Sequence, residues 1–345
     1  MSIPSKLTAW LTVNRACNLR CAWCYAQETE FSAEKMEMET VEMALNLLRE
    51  LPVKTVFLIG GEPTVHPDFL QIVRRVKEAG MLPMLVTNGV AFHRKKFLQA
   101  AVEAGLSGVT TSLKAGDAQQ YLKHTQRDAF GYVVEGIRNL EELRTVHGFP
   151  HRVSVTMCRE LFEHLEKILG VIRDSGVQEF SIDTERPIFK DGKAQPVPDT
   201  TPQQMANLLV NAYPTIQHAG VPFSIRLSLP FCLFPQAFIE ELRSKRQLIS
   251  GCQLIAGNGV IIDPKGKILP CNHFCNHSIG EITPGFSSGD YRAFRAREDV
   301  LRFYRAMSGC PDKACKHCSQ WTSCGGGCRV HWFALGAKQL LSEAT

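Results

Sequence analysis

Between residue 8 and about residue 218, short β-branched runs alternate with longer stretches whose apolar positions recur every three or four residues, the periods of strand and helix. Strands are predicted near 8–13, 54–59, 82–87, 107–113, 151–157 and 178–183, and helices near 38–50, 67–79, 92–104, 117–145, 160–175 and 202–218. Gly80, Gly105 and Gly176 stand where helices should stop, because glycine takes the left-handed conformation that ends a helix. Repeated strand–helix units build a parallel sheet. Six of them predict an α/β fold, a partial (β/α)6 TIM-like barrel, with function at the C-terminal ends of its strands.

From about residue 219 the texture changes to turns punctuated by proline, glycine and cysteine. Nine of the chain's thirteen cysteines fall here: Cys232, Cys252, Cys271, Cys275, Cys310, Cys315, Cys318, Cys324 and Cys328. The expected organisation is a barrel over 1–218, a bridging segment over 219–250 and a small Cys-rich domain over 251–345.

A chain of 345 residues, 44% hydrophobic and 21% charged, has enough apolar mass for a real core and nothing that suggests disorder. The N-terminus Met-Ser-Ile-Pro-Ser-Lys lacks a signal peptide's apolar stretch, and no run approaches the roughly twenty apolar residues of a membrane span. A cytoplasmic location is expected, where so many cysteines point to metal clusters rather than disulfides. The net charge of +5 is modest, and its basic groups are scattered among helical patterns, so no nucleic acid is expected as a partner.

Cys17, Cys21 and Cys24 form a CxxxCxxC loop directly after the first strand. Three thiolates in one short loop can hold three irons of a cubane cluster and leave the fourth open to a small molecule. The competing readings are a zinc site, which usually shows CxxC pairs, and a disulfide framework, which belongs to small secreted chains. After the second strand, Gly60-Gly61-Glu62-Pro63 makes a sharp glycine turn followed by an acidic side chain. Thr87-Asn88-Gly89 ends the third strand and Ser112-Leu-Lys114 the fourth, with capping and turn formation as their plainer roles. Cys158 ends the fifth strand, where a thiol can donate a hydrogen atom or simply fill the core. Asp183, Glu185 and Arg186 end the sixth.

This combination resembles the radical S-adenosylmethionine (radical SAM) superfamily, whose cluster loop reads CxxxCxΦC with an aromatic at Φ, here Trp23, and whose second strand leads into GGEP. The resemblance implies that the open iron chelates S-adenosylmethionine and that an electron from the cluster cleaves it to a 5′-deoxyadenosyl radical, which abstracts hydrogen from a C–H bond. It further implies that Gly60, Gly61 and Glu62, beside Pro63, face the cofactor's methionine amino group. Asn88 stands over the barrel mouth, and Ser112 and Lys114 become candidate ribose and carboxylate contacts.

The C-terminal cysteines resemble the SPASM extension, which holds two auxiliary four-iron clusters. Cys252, thirteen residues, Gly266, four residues and Cys271 are followed by Cys315-x2-Cys318-x5-Cys324-x3-Cys328, six of the seven signature cysteines. No cysteine follows Cys328. The family pattern assigns Cys252, Cys271 and Cys328 to one cluster and Cys315, Cys318 and Cys324 to the other, with Cys310 expected to complete the second. For the first, Cys232 or Cys275 is a fourth ligand, or its iron is open; a single auxiliary cluster and a zinc ribbon over 315–328 are the remaining readings.

SPASM enzymes act mostly on peptides and proteins, so the expected function is modification of a peptide substrate by cross-linking, oxidation or epimerisation. The alternative is radical oxidation, decarboxylation or epimerisation of a small sugar, nucleotide or amino acid intermediate. An electron-transfer protein would have no use for GGEP beside such a loop. About eight residues precede the first strand, so a peptide substrate is expected to need a separate leader-recognition partner or direct docking. The reductant implied by the resemblance is a flavodoxin or ferredoxin.

Overall fold

The computed structural model describes residues 4–341, so the first three residues of the N-terminal segment and the last four of the Cys-rich region lie outside the described residues. All six predicted strands are present: β1 (Leu7–Asn14), β2 (Val53–Gly60), β3 (Leu82–Thr87), β4 (Gly108–Leu113), β5 (His151–Met157) and β6 (Phe180–Thr184). They pair in that order and all in parallel. The helices between them are α1 (Met38–Glu50), α2 (Phe69–Glu78), α3 (Lys95–Glu103), α4 (Ala118–Thr125), α5 (Phe130–His147), α6 (Arg159–Glu163) and α7 (Leu165–Asp174), followed by α8 (Pro202–His218).

Two predicted helices are each two in the structure. The stretch 117–145 breaks after α4, where Gln126 adopts a left-handed conformation and its backbone N–H closes on the Leu122 carbonyl. The stretch 160–175 breaks at His164, which joins α6 to α7 with non-helical backbone angles. Helical period survives both breaks, which is why the pattern conceals them.

The sheet is wider than six strands. After a small antiparallel hairpin of β7 (Ile188–Lys190) and β8 (Lys193–Gln195), the chain returns as β9 (Phe223–Arg226), which pairs in parallel with β6. The helix α9 (Gln236–Ser244) then leads to β10 (Leu248–Ile249) at the sheet edge. The segment 219–250, read as a bridge, thus adds two strands whose four and two residues are too short to show a period.

At the opposite edge, α10 (Gln253–Ala256) precedes β11 (Gly259–Ile262), which runs parallel to β1. It folds back as an antiparallel hairpin into β12 (Lys267–Leu269), and then β13 (Gly280–Glu281). The order is β10-β9-β6-β5-β4-β3-β2-β1-β11-β12-β13, and among the described residues no pairing joins the two outer strands. The chain finishes with α11 (Ser288–Ala296), α12 (Glu298–Ser308), α13 (Trp321–Cys324) and α14 (Arg329–Leu340).

Alternation along the strands separates the two faces of the sheet. In β5, His151, Val153, Val155 and Met157 are buried, whereas Arg152, Ser154 and Thr156 are half-buried. The same parity in β4 and β6 puts Thr110, Ser112, Ser181 and Asp183 on the polar face, and carries Lys114, Cys158 and Glu185 onto it just beyond the strand ends. The apolar face packs against the helices. One core joins Leu11, Leu48 and Val56 to Leu254, Val260, Phe274 and Tyr291, so the Cys-rich region shares its packing with the first strands.

Candidate active site

At the end of β1 the chain enters the cluster loop under tight backbone control. The Gly61 N–H donates to the Asn14 carbonyl at 3.0 Å, the Glu62 N–H to the Ala16 carbonyl at 2.9 Å, and the Asn14 side chain to the Glu62 carbonyl at 2.9 Å. A Cβ on Gly61 would lie 2.3 Å from the Ala16 and Arg15 carbonyl oxygens, so only glycine allows the loop to lie this close. Further along, the Arg20 N–H donates to the Thr125 carbonyl and the Ala22 N–H to that of His124, at 2.8 and 3.2 Å. Trp23 packs on His124 with ring centroids 5.2 Å apart. The Asn88 amide donates to the Asn18 side chain at 2.7 Å, tying the loop to the end of β3.

These bonds bring Cys17, Cys21 and Cys24 into electrostatic reach of one another. Burial pushes the Cys17 thiol up to about 12 and Cys24 up to about 11, and raises Cys21 as well. Buried thiols of this kind stay neutral until a cation takes the proton's place. Lys114 acts in the opposite direction on Cys21 and Cys24. Among the described residues, no three His, Cys, Asp or Glu side chains converge closely enough to grip a single metal ion. The donor set is three thiols on one loop, backed by a lysine, which suits a cluster with one open iron.

Glu62 is buried and held inward. One oxygen accepts from the Thr64 N–H at 3.1 Å and from the Thr64 and Thr87 hydroxyls at 2.6 Å each; the other accepts from the Asn88 N–H at 2.7 Å. Burial raises its pKa, and these donors pull it back down. The second oxygen keeps acceptor capacity beyond its single donor. Pro63, also buried, opens the single turn that follows. Ser112 is half-buried on the polar face.

At the ends of β5 and β6, Cys158 and Glu185 face one another electrostatically. Burial pushes the Cys158 thiol up to about 11, and the Glu185 carboxylate adds to the shift. The Glu185 N–H is bonded to the Met157 carbonyl at 2.9 Å, and burial pushes its carboxyl up to about 7. Glu185 lines a cavity of about 480 Å³ together with Thr201, Met205, Leu229 and His331.

The C-terminal cysteines fall into two groups. Cys252, Cys271 and Cys328 are in electrostatic reach of one another, and the last two of Arg186, whose guanidinium donates to Asp183 at 2.5 Å. Cys315 is in reach of Cys324 and Cys310. Cys232 belongs beside this second group, in reach of Cys324, Cys315 and Cys318, rather than beside Cys252. Cys275 lies elsewhere: its thiol donates to the Tyr25 carbonyl at 3.6 Å and to Glu28 at 3.7 Å.

Three site-forming residues carry no spacing signal. Arg15 is buried and joins the loop base to Asp263, Cys275 and Glu34. Tyr25 lies in reach of Cys24 on one side and of Cys271 and Cys275 on the other. Arg329 is in reach of cysteines of both C-terminal groups. Tyr25 and Arg329 have a cue of another kind in the sequence, as they directly follow Cys24 and Cys328.

The model of the Radical SAM superfamily matches residues 11–177. Among curated proteins, the chain is 33% identical over 132 residues to GTP 3′,8-cyclase of Chlorobaculum tepidum, covering 38% of this chain and 39% of that one. It is 28% identical to a probable GTP 3′,8-cyclase of Sulfurisphaera tokodaii over 52% of this chain and 56% of the other. The chain therefore spans about half the length, or less, of these relatives. Among solved structures, Streptococcus suis SuiB bound to precursor peptide SuiA superposes with a TM-score of 0.69 at 16% identity, covering 94% of this chain and 72% of that one. Native anSMEcpe with bound AdoMet and Cp18Cys peptide gives 0.66 at 17% identity, covering 98% and 96%. With the cluster loop and the GGEP turn inside the matched span, residues 11–177 carry a radical SAM domain, the mark of an enzyme family whose cofactors are S-adenosylmethionine and a four-iron–four-sulfur cluster.

Proposed function

We propose that this enzyme modifies a peptide substrate by hydrogen abstraction, with Cys17, Cys21 and Cys24 as ligands of the S-adenosylmethionine-cleaving cluster. The cluster and its cofactor supply a 5′-deoxyadenosyl radical. Gly60, Gly61, Glu62, Pro63 and Asn88 bind and orient the cofactor's methionine end, Glu62 through its less engaged oxygen, and Trp23, Ser112 and Lys114 complete its surroundings. Cys158 donates a hydrogen atom to the substrate, and Glu185, whose carboxyl burial pushes up to about 7, exchanges a proton near neutral pH. Cys252, Cys271 and Cys328 form one auxiliary site and Cys315, Cys318 and Cys324 a second, in a SPASM-like C-terminal region.

The observation that carries the peptide reading is extent. The fold likeness to two peptide-bound radical SAM structures takes in nearly the whole chain, Cys-rich region included, whereas the cyclase relatives match half of it or less. Those same relatives favour the second reading, a small-molecule substrate such as a purine nucleotide. A flavodoxin or ferredoxin would supply the electron, and a separate protein would present the peptide's leader.

The test is anaerobic incubation of the reconstituted, reduced protein with S-adenosylmethionine and either the short peptides encoded beside its gene or GTP, followed by mass spectrometry. A peptide that loses about two or eighteen mass units, or gains deuterium from heavy water, supports the peptide reading. Unchanged peptides alongside consumed GTP overturn it in favour of the nucleotide.

A further inference from the structure

The second group of C-terminal cysteines lies in a corner built by two distant segments. The 3-10 turn Phe231–Leu233 places Cys232 at the protein surface, directly after the chain leaves β9. The Phe231 N–H donates to the sulfur of Cys324 at 3.3 Å, and the Cys328 N–H donates to the Ser228 carbonyl at 2.7 Å. Gly327 seals the contact: a Cβ there would lie 2.5 Å from the Ser228 carbonyl oxygen and 2.8 Å from the Leu229 carbonyl carbon. Residues 228–232 are thus stitched along 324–328, and the thiol of Cys232 is set against Cys324, Cys315 and Cys318 together. Cys310 is in reach of Cys315 as well; what sets Cys232 apart is the backbone contact that fixes its segment on the Cys324 sulfur.

A second observation marks the same corner. Arg329 is 4% exposed and donates through Nε and Nη2 to the Met307 and Gly309 carbonyls at 2.5 and 2.8 Å, while its Nη1 has no partner. It lies in reach of Cys252, Cys315, Cys310 and Cys324. A buried guanidinium donor left unpaired is costly unless an anion answers it. A thiolate-bound cluster carries that negative charge.

We infer that Cys232, and not Cys310, is the fourth thiolate of the second auxiliary cluster, beside Cys315, Cys318 and Cys324, with Arg329 facing the cluster's negative charge. Each thiol gives up its proton as its sulfur binds iron. The ligand comes from the segment after β9, upstream of the cysteine signature, so signature spacing does not reveal it. This inference rests on the proposed auxiliary clusters.

The experiment uses the full-length chain, reconstituted anaerobically, with iron and sulfide content and electron paramagnetic resonance as readouts. Wild type should hold about twelve irons, four for each cubane. Cys232→Ala should fall to about eight or show a three-iron signal on mild oxidation, while Cys310→Ala keeps about twelve. Retention by Cys232→Ala, or loss by Cys310→Ala, overturns the assignment. A wild type holding only about four irons would instead remove the auxiliary clusters themselves, a distinct failure. If Cys232→Ala does not fold, iodoacetamide labelling of the wild type decides: Cys232 should be protected when loaded and reactive after iron chelation, with Cys310 reactive in both states. Cys232 reactive in the loaded protein overturns the inference.

Discussion

Arg15, the first residue after β1, reaches the carboxylate of Asp263, 248 positions further on, at 3.1 Å. Both side chains are buried, and the same guanidinium donates to the Cys275 carbonyl at 2.9 Å. The base of the cluster loop and the Cys-rich region are therefore joined by an ion pair that water barely reaches. Breaking such a pair from one side strands the other charge, at a cost of about 3–5 kcal/mol. Arg15→Met should lower the thermal midpoint markedly, and adding Asp263→Asn should recover part of the loss; a midpoint unchanged by Arg15→Met would show that the pair does not hold the two regions together.

Gly61→Ala introduces a methyl group 2.3 Å from two carbonyl oxygens of the cluster loop. Backbone has to move, at a cost of about 1–3 kcal/mol, and the loop moves with it. Iron bound per chain and S-adenosylmethionine affinity should both fall, whereas Gly131→Ala, where a Cβ meets nothing, should leave them unchanged. Isothermal titration beside an iron assay checks this.

Glu185 sets a pH dependence whose sign is fixed by burial. Its folded pKa of about 7 lies above the 4.5 of an unburied glutamate, so the folded state holds a proton that the unfolded state has lost between these values. Stability from this group is intact below about pH 4.5 and declines up to about pH 7, by about 3 kcal/mol in all. Glu185→Gln should raise the thermal midpoint at pH 8 and leave it nearly unchanged at pH 5. Equal effects at both pH values would mean that the carboxyl titrates normally.

Cys158→Ala should leave S-adenosylmethionine cleavage intact and suppress delivery of solvent-exchanged hydrogen to product, since the thiol proton exchanges with water. Product that still carries one deuterium from heavy water in this variant would remove Cys158 from the donor role.

The apolar period of the first six units made the parallel sheet legible, because each strand buries one face and each helix one stripe. Cys17, Cys21 and Cys24 were legible for another reason: three thiols that share one loop must be close in sequence. What stayed hidden was assembled over long separations. β9 and β10 are too short to show a period, and Arg15, Tyr25 and Arg329 act by where the fold buries them. The place of Cys232 beside Cys324 depends on a backbone contact between segments 93 positions apart.

The most direct measurement is 5′-deoxyadenosine formation from S-adenosylmethionine under dithionite, comparing wild type with Cys21→Ala and Cys315→Ala. Wild type and Cys315→Ala should form 5′-deoxyadenosine, and Cys21→Ala should form none. Undiminished cleavage by Cys21→Ala would contradict the assignment of the cluster to this loop.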